Sequence, residues 1–416
     1  MNMVKILLTL ALSLGIMGQS AFYSHIVFNV HGPVLVLIVA AILGFCCHRF
    51  ALLPAFPQSV SFPRKRESKK NGSPLKACGD DKVHWIGFGL LAILGIALWM
   101  EASRYPMGGW DAWSCWNLKA KFIYLGKENW KDMLDPVLWR SNTHYPLLLP
   151  SINVFVWDIL NGAHEWVPML IAIMITLLSA GILYFFLAEV TGQWLLPAAA
   201  VAAVFLLPFN ITLAISQYSD VLVGLYLLCA LACLVSEELL LCGLFTGLLS
   251  FTKTEGAVAA GILTVLVLFQ YRKQALPFII ALGIAALPTV IFQLGFAPKN
   301  EAFINGLTSA LKPASAERLN MIGMFTAVEF ISAKWNGLWL LIAAGVAVGW
   351  KHAWDKKLRT IGICLLAYLS VVLSFYYINT FFEIAWWMQN TLNRILFAII
   401  PAAILWLGLS AFRKQP

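Results

Sequence analysis

The chain has 416 residues, of which 60% are hydrophobic and only 12% charged, and its mean hydropathy is +0.79. Soluble globular domains carry about 25% charged residues, so this composition excludes an ordinary water-soluble fold. The net charge of +9 lies in loops between apolar runs, which argues against nucleic acid as a partner and for the basic cytoplasmic loops of a membrane protein.

Apolar runs long enough to cross a hydrocarbon layer about 30 Å thick recur down the whole chain. We therefore predict an all-α, polytopic transmembrane helical bundle with about a dozen crossings. The basic segments 64–82, 272–273, 351–359 and 413–414 then share one side, as the positive-inside rule requires. The predicted crossings are 4–21, 33–53, 84–101, 166–188, 195–214, 220–236, 239–252, 256–270, 276–295, 336–350, 360–378 and 394–411.

Residues 1–53 form the first predicted unit, an N-terminal transmembrane hairpin or signal-anchor region. Its start resembles a signal peptide, so cleavage and a retained first helix both stay open. Residues 54–83 follow, and within them 61–82 resemble the translated palindromic repeats found inside some bacterial reading frames. They show no apolar periodicity, so we predict a disordered, basic cytoplasmic loop, whether it is such an insertion or an ordinary loop. Residues 84–416 form the remaining membrane domain, with 102–165 as its outer juxtamembrane loop.

The outer loop contains the densest polar and aromatic stretch, GGWDAWSCWNLKAKFIY. Trp110, Trp113 and Trp116 recur every three residues, which predicts an aromatic stripe on a helix lying in the membrane interface. The stripe either anchors the loop or packs against the apolar face of a sugar. Asp111 is either a helix cap or solvated charge, or a general base facing a sugar acceptor. Lys119 follows within three turns as a candidate supporting residue.

The outer loop ends at His144, which is either an interfacial residue or a catalytic one. The apolar run 145–160 follows and carries two prolines, an asparagine and an aspartate. We predict an interfacial helix lying along the membrane, held by aromatic residues. The alternative, a short crossing helix, would invert the sidedness of every later loop.

Further charged residues lie at helix ends that this topology places outside. Asp220 opens one predicted crossing, Arg394 opens the last, and Lys253 and Glu255 lie where two apolar runs meet. A charge at mid-membrane costs about 2.5–3.5 kcal/mol on insertion scales, so such residues are usually paired or line a cavity. They are either structural ion pairs or, for Lys253 and Arg394, a cationic site for a lipid-linked phosphate.

Taken in chain order, these motifs resemble the GT-C superfamily of polyprenyl-phosphate-sugar-dependent glycosyltransferases. The branch is the RgtA/B/C/D-like one, related to aminoarabinose transferases and protein O-mannosyltransferases. The resemblance covers about residues 84–411 and rests on Asp111, on His144-Tyr145-Pro146, on Asp220 and on the turn 252–256. The sequence departs from the family in lacking a second acid beside Asp111, in having Tyr-Pro for a double proline, and in two additional preceding helices.

The resemblance implies an inverting transfer of a sugar from a polyprenyl-phosphate donor to a hydroxyl of a glycan, lipid or protein. The site would face outward from the bacterial inner membrane, among membrane lipids and the cell envelope, including its lipopolysaccharide. Asp111 would be the base, Lys253 and Arg394 would bind the donor phosphate, and Asp220 would orient a cation or the sugar. Some relatives use a divalent metal, but no cluster of acids in this sequence requires one, and no other cofactor is implied.

Two other classes of protein remain as alternatives. A transporter or flippase of envelope lipids or glycan precursors commonly has about a dozen helices, but it often shows internal repeats with polar breaks at mid-membrane. No such repeat is evident, and the polar residues gather on one predicted side. A scaffold or polysaccharide-polymerase subunit would favour a large outer loop between later helices, whereas the polar segment 296–335 is modest.

Overall fold

A computed structural model describes residues 3–51, 80–299, 315–379 and 382–411 of the chain. This part contains helices and turns and no strand, which confirms the predicted all-α class. Most of the predicted disordered loop 54–83 lies outside the described residues, and its last residues, from Asp80 on, already belong to a helix.

The described ranges contain seventeen α-helices, numbered in chain order. They are α1 (Met3–Phe22), α2 (Pro33–Ala51), α3 (Asp80–Arg104), α4 (Asn117–Gly126), α5 (Leu148–Leu160), α6 (Trp166–Thr191), α7 (Leu195–Phe205), α8 (Pro208–Ile215), α9 (Ser219–Val235), α10 (Leu239–Ser250), α11 (Thr254–Tyr271), α12 (Leu276–Gly295), α13 (Ala316–Ile331), α14 (Leu338–Val348), α15 (Trp350–Ala353), α16 (Lys356–Ile378) and α17 (Ile384–Ala411). The described chain also has π-helical turns at Tyr23–Val27 and Ala112–Trp116 and 3-10 turns at Lys127–Leu134, Pro136–Ser141, Arg272–Ala275 and Ala333–Trp335.

The protein is a multi-pass membrane protein. In the described ranges, six helical stretches are long and apolar enough to cross a membrane, or up to eight if each of two bent pairs is one span. This is fewer than the dozen predicted. Helices α9 and α10 have only 17 and 12 residues, which at 1.5 Å per residue is about 25 and 18 Å, short of the hydrocarbon thickness. Both are buried among other helices, so they do not need to match the bilayer by themselves.

Helices α11 and α12 together form one long apolar stretch, but the chain reverses at Arg272–Ala275, where Arg272 has a φ of 49°. The direction follows from contacts with α10. Gly243 packs against the backbone of Phe278, and Ser250 lies 3.0 Å from Thr289 between hydroxyl oxygens. Helix α12 therefore runs parallel to α10 and packs directly on it, and α11, which connects the two along the chain, runs in the opposite direction. The break after α10 and the end of α12 consequently lie on the same side of the bundle.

Helix α5 differs from its prediction. It was expected to lie along the membrane, but ten of its 13 residues are buried, and it packs on α1 and α4 inside the protein. The reason is that it is apolar on nearly all sides, and α1 covers it where Gly18 allows close approach to Leu148 and Ile152. At about 20 Å it is shorter than the hydrocarbon layer, as the buried helices α9 and α10 are, so the sidedness of the later loops stays a prediction.

Candidate functional site

The site is built around the break between α10 and α11, where the helical hydrogen bonding is interrupted. Neighbouring elements satisfy the freed backbone groups, as burial requires. The Leu148 amide donates to the Phe251 carbonyl at 3.2 Å, and the Ser219 hydroxyl donates to the Thr252 carbonyl at 2.9 Å. Lys253, the N-cap of α11, is extended with a φ of −164°. The break therefore presents Lys253 to the starts of α5 and α9.

Lys253 is buried between two carboxylates. Its Nζ lies 3.1 Å from Asp220 Oδ1 in the first turn of α9 and 3.1 Å from Glu255 Oε1 in the first turn of α11. Burial by itself would lower the pKa of Lys253, but Asp220 and then Glu255 outweigh it and hold the pKa well above its ordinary value. Lys253 is therefore ion-paired with Asp220 and with Glu255 at the same time.

Asp111 and Arg394 form a third ion pair, with 2.5 Å between Asp111 Oδ2 and Arg394 Nη1. Asp111 makes no side-chain capping bond to the turn that follows it, so the cap alternative is not what the structure shows. The prediction that Arg394 opens the last helix was wrong. Helix α17 begins at Ile384, because its polar first turns are also helical, and Arg394 lies about three turns inside.

The Asp111–Arg394 pair lies next to the two ion pairs of Lys253. The Arg394 guanidinium lies over the Tyr218 ring at 4.8 Å from its centroid, two residues before Asp220, and Asp220 also contributes to the charge environment of Arg394. We call Asp111, Asp220, Lys253, Glu255 and Arg394 the polar cluster. Its members come from the loop before α4 and from α9, the α10–α11 break, α11 and α17.

Two glycines before Asp111 set its position. Gly108 has a φ of +69°, which favours glycine. The Gly109 amide donates to the Ser216 carbonyl at 3.1 Å, and a Cβ on Gly109 would lie 2.2 Å from the Tyr218 hydroxyl. A larger residue at position 109 would push the loop off Tyr218. The pair Gly-Gly before Trp-Asp is thus a local sequence signal for a close approach that places Asp111 beside Arg394.

The predicted tryptophan stripe is divided. Trp110 and Trp113 are 60% and 49% exposed, with ring centroids 4.3 Å apart, whereas Trp116 is 1% exposed. The wider turn of the π-helix at Ala112–Trp116 rotates Trp116 off the face that the α-helical spacing predicts. Trp116 instead stacks on Tyr145, with 5.6 Å between ring centroids. Two tryptophans therefore form a surface pair and the third belongs to the buried wall of the site.

Lys119 and His144 flank Tyr145. Lys119 is buried, donates to the Asn142 carbonyl at 2.6 Å and lies 5.6 Å from the Tyr145 ring centroid; burial lowers its pKa. The His144 ring packs against Tyr145 at 4.8 Å. Burial, followed by the charge of Lys119, lowers the pKa of His144 to about 4. His144 therefore contacts Tyr145 as a ring that is neutral near pH 7.

Sequence reasoning missed an amide network beside the cluster. Asn117 donates to Gln217 at 2.8 Å, Asn153 donates to Asn117 at 3.2 Å, and Gln217 donates to the Pro106 carbonyl at 2.8 Å. The three amides and Tyr218 line a small cavity that is otherwise apolar. Gln217 has a φ of +60°, a conformation that concentrates at functional sites. The position of Gln217, three residues before Asp220, is the one feature of the sequence that could have indicated its place in the site.

The polar cluster contains three carboxylates and two cations. The two cations of the predicted phosphate site are therefore balanced by carboxylates, and the cluster has no excess of positive charge. Buried Arg394 Nε and Glu255 Oε2 have no hydrogen-bond partner, which leaves one donor and one acceptor for a ligand. No group of three His, Cys, Asp or Glu that could hold a metal occurs in the ranges that the structure describes.

No family model, no curated protein and no solved structure matches this chain.

Proposed function

We propose that this protein is an inverting glycosyltransferase of the GT-C type. It would move a sugar from a polyprenyl-phosphate donor to a hydroxyl of a glycan, lipid or protein at the outer face of a bacterial inner membrane. The observation that carries the proposal is the proximity of Asp111 and Arg394, 283 residues apart in the chain, next to the Lys253 pair. A base and two cations in one half-buried cluster are the groups that such a transfer needs.

In the proposed reaction, the acceptor hydroxyl oxygen bonds to the anomeric carbon of the sugar. The bond from that carbon to the phosphate oxygen breaks, and the phosphate leaves with the electron pair. Asp111 takes the hydroxyl proton, because its side chain is 24% exposed and reachable from the loop surface, whereas Asp220 is 7% exposed and bonded to Lys253. This exposure favours Asp111 over Asp220 as the base.

Arg394 is suited to contact the base and the phosphate together. It uses Nη1 for Asp111 and leaves a buried Nε without a partner. A guanidinium can donate to two acceptors in one plane, which a lysine cannot. Lys253, held protonated by its carboxylates, would supply a second positive charge as negative charge grows on the leaving phosphate.

The exposed pair Trp110 and Trp113 would hold the acceptor. They flank Asp111 and present two indole rings to the surroundings. Aromatic faces stack on the apolar face of a sugar ring, and indoles also sit well at the membrane interface. The stacking role would hold an acceptor hydroxyl close to Asp111, whereas the interfacial role would only anchor the loop.

The test is a comparison of envelope glycans by mass spectrometry in cells that lack this protein and carry either the wild-type chain or Asp111→Asn. The wild-type chain is expected to restore one sugar increment on an envelope molecule, and Asp111→Asn to lose it at least about a hundredfold, the usual effect of removing a general base. Asp132→Asn is the matched control, since Asp132 is an exposed acid of the same loop. Full restoration by Asp111→Asn, with normal protein levels, would remove Asp111 as the base.

A further inference from the structure

A second group of titratable residues lies away from the polar cluster, where α1 ends and α5 ends. His25 is fully buried and its Nε2 lies 2.7 Å from Asp158 Oδ2, whose side chain is 2% exposed. On the other side of the ring, His25 Nδ1 lies 2.8 Å from His31 Nδ1. The three side chains thus form a chain that joins the π-helical turn after α1, the loop before α2, and the last turns of α5.

The two contacts of His25 determine which of its ring nitrogens carry hydrogens. Asp158 accepts at Nε2, so that nitrogen carries a hydrogen. A distance of 2.8 Å between the two Nδ1 atoms leaves room for one hydrogen between them and not for two. The neutral pair satisfies this, and so does a pair with one added proton, because Asp158 balances the single positive charge. With a second added proton both Nδ1 atoms carry hydrogens, and the contact can no longer exist.

We propose that Asp158, His25 and His31 form an acid-released clasp that holds the end of α1 to the end of α5 and opens when both histidines are protonated. This inference goes beyond the proposed function and does not depend on it. The other end of α5 lies against the α10–α11 break through the bond from Leu148 to Phe251. Opening the clasp would therefore loosen the helix that supports Lys253.

The groups around His31 determine whether the clasp becomes more or less stable as the pH falls. Lys127 and Glu128, at the start of the 3-10 turn after α4, face His31 with opposite charges, and Tyr124 of α4 lies near Asp158. Burial, followed by His25, lowers the pKa of His31 from its ordinary 6.5. A histidine whose pKa is lowered by folding stabilises the closed state above pH 6.5 and loses that contribution as the pH falls.

The experiment is amide hydrogen exchange of the full-length protein in lipid nanodiscs, at pH 7.5 and pH 5.0, corrected for intrinsic exchange rates. The amides of Phe28 and Val30 report on the clasp, since they are bonded to the carbonyls of Tyr23 and Ser24. In the wild-type chain their corrected exchange is expected to rise on acidification, by up to about tenfold per pH unit for each proton taken up.

The variant His31→Phe keeps a ring at position 31 but cannot be protonated, so its corrected exchange is expected to be equal at the two pH values. His164→Phe is the matched control, because His164 is an exposed histidine near the end of α5, and it should keep the wild-type acid response. An acid response in His31→Phe as large as that of the wild type, or none in the wild type, would overturn the clasp.

Asp158→Asn keeps the proposal testable if His31→Phe exchanges fast at both pH values. The asparagine can still accept the hydrogen bond of His25 but does not balance the first added proton. Without that negative charge, the closed state of the variant takes up the first proton less readily than the open state does. Acid therefore favours opening from the first proton on, and the acid response should begin at a higher pH than in the wild type. An unchanged onset would contradict the clasp.

Discussion

At the scale of single residues, the polar cluster is a set of buried charges that hold one another. Lys253 has two carboxylates at 3.1 Å, and Arg394 has Asp111 at 2.5 Å with a tyrosine ring beneath it. Removing one member leaves its partner buried and uncompensated, which costs far more than the pair contributes in net terms. Substitutions here therefore alter folding as well as chemistry, and their controls must separate the two.

Lys253→Met is expected to destabilise the protein by about 3–5 kcal/mol, the range for removing one partner of a buried ion pair. The matched control is Lys121→Met, since Lys121 forms an exposed pair with Glu165, and exposed pairs contribute about 0–1 kcal/mol. Unfolding of the purified protein, followed by tryptophan fluorescence, measures both. Equal effects of the two substitutions would show that Lys253 is not held as described.

The sequence predicted which charged residues belong to the site better than it predicted their partners. The position of Asp220 at a helix start and of Lys253 at a break follows from local patterns. The pairing of Asp111 with Arg394 does not, because no local pattern relates residues 283 positions apart. Trp116 was misplaced for a local reason, since the spacing of three presumes an α-helix and the turn is a π-helix.

At the scale of elements, small residues allow one pair of helices to pack closely beside the apolar core. Helices α10 and α12 approach at Gly243 and Gly247, where an added Cβ would meet the backbone of Phe278 and of Ala286. Small residues at helix contacts are the usual means of association in membranes, because lipid tails are as apolar as the side chains. This contact fixes the parallel arrangement of α10 and α12 and thereby the position of the break.

Gly247→Ala is expected to destabilise the protein by about 1–3 kcal/mol, because its methyl group would lie 2.8 Å from the Ala286 amide nitrogen, and backbone cannot move aside cheaply. Gly261→Ala is the control, since nothing lies within 4 Å of an added Cβ in α11. It should leave stability unchanged or raise it slightly. The melting temperatures of the two variants in detergent give the comparison, and a Gly247→Ala protein as stable as wild type would contradict the contact.

At the scale of the whole molecule, contacts at the helix ends show which loops lie on the same side of the bundle. The end of α3 meets Gln217 through the Pro106 carbonyl, and the end of α12 meets the outer loop through Gln293, which donates to the His144 carbonyl at 2.9 Å. On the opposite side, Tyr184 of α6 donates to the Val83 carbonyl at the start of α3. The predicted outer loop and the polar cluster therefore share one side of the bundle.

A cysteine at position 163, in the loop after α5, is expected to react with a membrane-impermeant thiol reagent added outside intact cells. Lys273→Cys, in the basic turn before α12, is the counterpart and should react only after the membrane is opened. Mass spectrometry of the labelled peptides separates these sites from the native cysteines. The reverse pattern would place the polar cluster at the cytoplasmic face and contradict the proposed topology.

The sequence by itself determined that this is a helical membrane protein, that Asp220 lies at a helix start and that the chain breaks at Lys253, because hydropathy, charge and turn residues act over a few neighbouring positions. Only the tertiary structure decided that α5 is buried, that Arg394 meets Asp111, and that His25 joins Asp158 to His31. These contacts join residues far apart in the chain, and they follow from how the helices pack, which no local pattern records.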